Sequence, residues 1–322
     1  MTGRDTERVG GAAHRFDWRI NVVLFLATVA SVSVTAWQQA QAAGHLGRAA
    51  LWEGAAFAVP VLTILVAHEF GHYLAARWHR VPASLPYFLP LPQLSPFGTL
   101  GAVIVMPERI RTSRALLDIG AAGPLAGMAV AIPTMVIGLR QSPIIQRSAT
   151  GFIQEGQSLL YLALKWLVVG PLRPDQDILL HPTAYAAWFG FLITFLNLIP
   201  VGQLDGGHVA YALLGRRRHA QVAQWMMRLP VVMVAYNLWV HGLPVLTDAL
   251  QHGGPEPNWT RLISAVMPWV TVTLLLLLLR RFTGREHPPV DDPVLSPGRR
   301  RVAIATLALF VLLFMPSPLV SY

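Results

Sequence analysis

The chain has no cysteine, so disulfides and thiolate ligands are excluded, and any bound metal must rely on histidine, carboxylate and water. Lysine is nearly absent too: Lys165 is the only one, and the formal charge of +9 rests on arginine. Charged residues make up 13% of the 322 positions against 54% hydrophobic ones, which argues against an ordinary soluble globular domain. No basic face with interleaved aromatics occurs, so the arginines read as membrane-flanking charge and no nucleic-acid partner is expected. The N-terminal MTGRDTERVGGAAHRFDWR mixes acids with its arginines and resembles neither a cleavable signal nor a transit peptide. The first apolar run is therefore expected to be a retained anchor.

What is present is a succession of apolar stretches long enough to cross a bilayer, near 20–37, 57–77, 117–139, 184–201, 229–247, 262–280 and 302–320. A shorter run at 157–171, SLLYLALKWLVVGPL, holds Lys165 and ends in Gly-Pro, and reads as interfacial or partly inserted rather than spanning. Arg4, Arg8, Arg15 and Arg19 precede the first span, and only Arg48 follows before the second, which places the N-terminus in the cytoplasm. Seven spans then put Arg77, Arg80, Arg109, Arg111, Arg114, Arg216 to Arg218, Arg280, Arg281, Arg285 and Arg299 to Arg301 on that same side. Trp37, Trp52, Trp78, Trp188, Trp239 and Trp259 fall near span ends and fit an interfacial belt. Arginine in place of lysine points to a GC-rich bacterial genome, hence a bacterial cytoplasmic membrane, with an organellar membrane as the alternative.

Inside the second apolar stretch the sequence reads VLTILVAHEFGHYLAA, residues 61–76. His68 and His72 are four residues apart and share a helix face, where two imidazoles can hold one divalent metal while Glu69 reaches a water beside it. With 11 His and 7 Glu in the chain, chance supplies such a pattern in about one chain per hundred. Ionisable groups at membrane depth cost about 2.5 kcal/mol or more each, so three within five residues call for a compensating partner such as a metal. Zinc-dependent hydrolysis is the natural reading of this spacing.

Two histidines leave a catalytic zinc one protein ligand short of the usual three. Asp205 is the best candidate for the third; it lies in NLIPVGQLDGGH, residues 197–208, after Pro200 ends an apolar helix and before Gly206 and Gly207 let the backbone turn or approach closely. A helix N-cap is the structural alternative for Asp205, and His208 could serve as ligand or hydrogen-bond one. Asn197 offers an amide that could bind substrate backbone or a developing oxyanion; its structural alternative is an interhelical hydrogen bond.

HEFGH at 68–72, GPLAG at 123–127 and NLIPVGQLDGG at 197–207 resemble the site-2 protease family of intramembrane zinc metalloproteases (peptidase M50-like), over roughly residues 55–215. The resemblance implies one zinc ion per chain held by His68, His72 and Asp205, Glu69 as catalytic base, and Asn197 with Pro200 helping to position substrate. It also implies membrane-protein substrates with a transmembrane segment. The small residues Gly123, Ala126 and Gly127 are read as close packing of the third span on the metal-bearing helix.

Between the second and third spans, Pro82, Pro86, Pro90, Pro92, Pro96 and Pro107 rule out a regular spanning helix, so a re-entrant or interfacial loop is expected. Within it Gly98 to Val105, GTLGAVIV, has the composition of a short strand, and similar segments in the family are thought to present a β-edge beside the active site. Gly98 and Gly101 are on that basis candidate substrate-binding positions, by strand addition to an unwound substrate. The expected fold is an all-α polytopic membrane protein of about seven transmembrane helices around a three-helix metalloprotease core, with this β-like loop. Its regions are a cytoplasmic N-terminus and first anchor (1–54), the metalloprotease core (55–215) and further C-terminal helices with a cytoplasmic connector (216–322). A membrane divalent-metal transporter and an inactive substrate-binding relative are the competing readings.

Overall fold

The computed structural model describes residues 17–106, 109–146, 153–252, 259–283 and 288–322. Arg4, Arg8, Arg15, Pro107 and Arg285, used above, lie outside the described residues.

The chain is mostly helical, and five stretches are long and apolar enough to cross a membrane. The first two are α1 (Trp18–Ala42), begun by an Asp17 side chain that accepts from the Arg19 amide, and α2 (Gly47–Trp78). The turn between them passes through Gly44 and Gly47, with φ of +93° and +56°, which glycine alone adopts readily. The third is α3 (Ser113–Gln141), capped by Thr112. A fourth stretch runs from α6 (Asp205–Met226), kinked at Gly215, through α7 (Leu229–Asn237) and a π-helical turn at Leu238–Gly242 into α8 (Leu243–His252). The fifth is α9 (Trp259–Thr283).

Two of the expected spans are shorter than this. Helix α5 (Pro182–Asn197) has 16 residues because the chain turns at Leu198 ahead of Pro200, and α10 (Pro297–Leu313) has 17 because Pro316 and Pro318 follow it. The 157–171 run becomes α4 (Leu159–Val169), whose 11 residues are too few to cross.

Strands are few and short. β1 (Tyr87–Pro90) and β2 (Thr99–Val103) form an antiparallel hairpin pairing Tyr87 with Val103 and Phe88 with Ala102, with an irregularity before Pro90 pairs with Thr99. β3 (Ile144–Gln146) pairs with β5 (Gln176–Ile178), and β4 (Ile153–Glu155) with β6 (Leu319–Ser321), both antiparallel. The proline-rich loop is thus a hairpin, and it lies along α1. Asn21 donates to the Leu85 and Pro86 carbonyls, Phe25 packs edge-on to Phe88, Ser31 donates to Gly98 and Gln39 to Pro96. From Asn21 to Gln39 is about 27 Å of helix. These side-chain donors satisfy carbonyls that a helix would otherwise satisfy for itself.

The centre is built from α2, α3 and α5, with α6 against α3 and α10 against both α3 and α6. Ile64, Leu65, Met135, Leu139, Phe191 and Phe195 fill the larger core; Leu116, Leu117, Ile119, Val209 and Tyr211 fill a second one beside α6. Trp188 differs from the expectation: it is fully buried and donates to the Gly156 carbonyl, whereas Trp37, Trp52, Trp78, Trp239 and Trp259 are exposed. Its place near a span end was legible, but not that a loop would cover it.

Candidate metal centre

Helix α2 sets His68 and His72 one turn apart, both buried, with ring centroids 4.9 Å apart. Asp205 arrives from the start of α6, and its Oδ2 lies 3.2 Å from the Nε2 of each histidine. It does not cap that helix: the N-cap residue is Leu204, with no side-chain hydrogen bond. The three ligand atoms all lie within 4.8 Å of one another, the only such group of His, Asp or Glu among the described residues. Donor atoms around a tetrahedral zinc with bonds of about 2.0–2.1 Å are separated by about 3.3 Å, so two imidazoles and one carboxylate at these distances fit that ion.

The histidines are oriented from behind. His72 Nδ1 lies 2.7 Å from the Ile119 carbonyl oxygen, which can only accept, so Nδ1 donates to it and Nε2 is the ring nitrogen turned toward Asp205, where it can bind a metal. Asn197, the last residue of α5, places Nδ2 3.3 Å from His68 Nε2. Glu69 is buried on the same helix.

Space for the rings comes from α3. A Cβ on Gly123 would overlap the His72 imidazole, and one on Gly127 would come within 3.2 Å of His68 Nδ1. On the facing side of α2, a Cβ on Gly71 would sit 3.0 Å from that of Ala126. The GPLAG stretch is thus a seat for the two histidines, as the packing reading expected. The NLIPVGQLDGG stretch works the same way: Gly206 packs on the Leu198 carbonyl and Gly207 on that of Gly202, where any Cβ would collide. Only with glycine there can α6 begin against the end of α5 and put Asp205 beside the histidines.

Of the other positions read from sequence, Pro200 is buried in this tight turn. His208 is not one of the three converging groups; its Cβ faces Gly120 of α3. Gly98, with φ of +74°, packs on the backbone of Ser31 and Val32 of α1, and Gly101, with φ of +101°, has open space where a side chain would be. The structure thus gives Gly98 a packing role on α1.

Sequence reasoning missed the Ile119 carbonyl, since a backbone acceptor leaves no trace in residue type. It also missed Asp118, which accepts from Arg299 through both carboxylate oxygens and lies 2.8 Å from His79 Nε2, tying α10 to α3. The two residues are 181 positions apart, and no local pattern joins them.

Residues 56–236, more than half of the chain, match the sequence profile of Peptidase family M50. A rice protein (Oryza sativa subsp. indica) named probable zinc metalloprotease EGY2, chloroplastic, is 27% identical over 76% of this chain and 44% of its own length. Its Arabidopsis thaliana counterpart is 28% identical over 74% of this chain and 43% of its own, and the Arabidopsis protein named probable zinc metalloprotease EGY1, chloroplastic, is 29% identical over 80% and 42%. The chain spans less than half the length of these curated relatives. No solved structure matches it. With the profile match spanning the metal-centre helices α2, α3, α5 and the start of α6, the chain belongs to Peptidase family M50, the site-2 protease family.

Proposed function

We propose that this protein is an intramembrane zinc metalloprotease that hydrolyses peptide bonds in or near transmembrane segments of membrane-protein substrates. The observation that carries the reading is the convergence of His68 and His72 on one oxygen of Asp205, at 3.2 Å each, within helices long and apolar enough to span. One zinc ion per chain, held by those three residues, would acidify water and polarise a peptide carbonyl. Glu69, buried one residue from the first ligand, takes a proton from the attacking water and returns one to the leaving amine. Asn197 presents its amide to the substrate backbone or the developing oxyanion, with Pro200 holding the turn that follows α5.

A substrate helix hides its carbonyls in its own hydrogen bonds and must be held extended before water can attack. β2 is suited to hold it: among the described residues it pairs with β1 alone, and Leu100 and Val103 on it are exposed. In this reading the hairpin re-enters the bilayer along α1, and α5 and α10 join the five long helices as membrane-embedded segments to make seven. The N-terminus is cytoplasmic and the membrane a bacterial cytoplasmic one. The hydrogen bonds from Asn21 to Gln39 along α1 support the re-entrant course.

A metal transporter fits less well, because a transport path needs further polar ligands along the spans, and the described residues hold one metal-binding group. It also gives Glu69 no distinctive part. The experiment is cleavage of a panel of single-span substrates by purified, zinc-loaded protein, compared with Glu69→Gln and Asp205→Ala. Cleavage lost in both, with zinc retained only in Glu69→Gln, is expected. Zinc binding without any cleavage, together with metal movement into liposomes, would put the transporter in its place.

A further inference from the structure

At the other end of the bundle from the metal centre, where α1 ends and α2 and α5 begin, there is a cavity of about 590 Å³. That is the volume range of sites for small ligands or a few residues of peptide. Phe57 and Tyr185 form an aromatic wall, with rings 5.8 Å apart, and Phe97 from the hairpin tip packs on both. Glu53 and Glu155 contribute carboxylates, and His45 and His181 contribute imidazoles. No lysine or arginine lines it among the described residues, in a chain that carries 25 of them against 16 acids. Glu155 already accepts from the Tyr161 hydroxyl at 2.6 Å, whereas Glu53 makes no hydrogen bond or ion pair among the described residues.

A carboxylate with no partner among the described residues, in a cavity lined by aromatic and aliphatic side chains, selects a cation attached to something apolar. We propose that this cavity holds the far flank of the substrate, a lysine or arginine side chain with its apolar neighbours, so that the substrate is gripped at both ends of the bundle. The proposal rests on the protease reading above. Glu53 and His68 are both on α2, about 22 Å apart along its axis. An extended substrate covers that distance in about seven residues and a helical one in about fifteen. Basic residues are disfavoured on the far side of a membrane span, so one at that spacing would be a distinguishing mark.

The test uses single-span substrates with a lysine placed about seven to fifteen residues from the scissile bond on the far flank, each matched by a glutamate version. Equilibrium binding is measured on zinc-loaded Glu69→Gln, and cleavage on the protein with its own sequence. A preference for lysine of about tenfold or more is expected in both binding and KM, and Glu53→Lys or Glu53→Gln should collapse it while zinc content is kept. Equal binding of the two versions at every spacing overturns the cavity assignment, even if both are cut. Preferential binding of lysine with no cleavage of any substrate would overturn the protease reading instead, leaving a cation site without a substrate.

Discussion

Helices α3 and α9 are both long, apolar and interrupted by proline, yet they do opposite things. In their most apolar windows α9 is the more hydrophobic, with mean hydropathy 2.4 against 1.7, but 61% of the α3 window is buried inside the protein and only 22% of the α9 window. In lipid, hydrophobicity gives no preference for the protein interior, because the tails are as apolar as leucine. What buries α3 is its small residues. Gly120, Gly123 and Gly127 lie three and four apart on one face and meet His208, His72 and His68 in turn, while Gly138 packs on Ala184 of α5. Helix α9 has the leucines of 274–279 and no glycine.

This contrast can be broken by substitution, and the largest effects belong on the α2–α3 side. Glu69→Gln should lower turnover on a single-span substrate by about a thousandfold or more while zinc content stays at one per chain, since it removes proton transfer and leaves the ligands. Gly123→Val should come next: its side chain has to displace the His72 imidazole, so zinc affinity should fall by about tenfold to a hundredfold, measured by competition with a chelator. Removing zinc with a chelator should abolish cleavage by the unsubstituted protein, and adding zinc back should restore it.

A smaller effect is expected where α10 is tied to α3. Arg299→Gln removes the bidentate partner of Asp118 and should lower stability by about 1 kcal/mol in detergent unfolding, with zinc content unchanged. Smaller still is Leu277→Ala on α9, half exposed in the absence of lipid, which should leave zinc binding and turnover as they were. A large loss of activity there would mean that α9 packs on something the single chain does not contain.

A separate pH effect concerns Glu155, outside the long helices, whose carboxyl burial pushes above its ordinary 4.5 despite the Tyr161 hydroxyl. A carboxyl raised in the folded state binds more protons there than in the unfolded state, so stability falls as pH rises from 4.5 toward the folded value. Thermal unfolding followed upward from that pH should show this loss in the protein and less of it in Glu155→Gln.

The site was legible in sequence where chemistry and spacing coincide: two histidines one turn apart, a glutamate between them, and an aspartate framed by proline and glycine. Apolar length likewise picked out the long helices. What sequence did not reveal are relations between distant backbones. The Ile119 carbonyl behind His72, the Asp118–Arg299 tie and the loop covering Trp188 join segments that share no local pattern. The hairpin was readable as a strand from GTLGAVIV, but its seat on α1 depends on Asn21, Ser31 and Gln39, polar residues that a hydropathy reading of an anchor passes over. Gly98, a candidate substrate contact from its place in that strand, also packs on the backbone of α1, a neighbour that no local pattern announces.

The most direct test of the metal centre is zinc content with zinc-edge X-ray absorption on the purified protein, Asp205→Ala and His208→Ala. The account predicts one zinc per chain with two imidazoles and a carboxylate, lost or greatly weakened in Asp205→Ala and unchanged in His208→Ala. Full zinc occupancy with the same ligand set in Asp205→Ala, or its loss in His208→Ala, would contradict it.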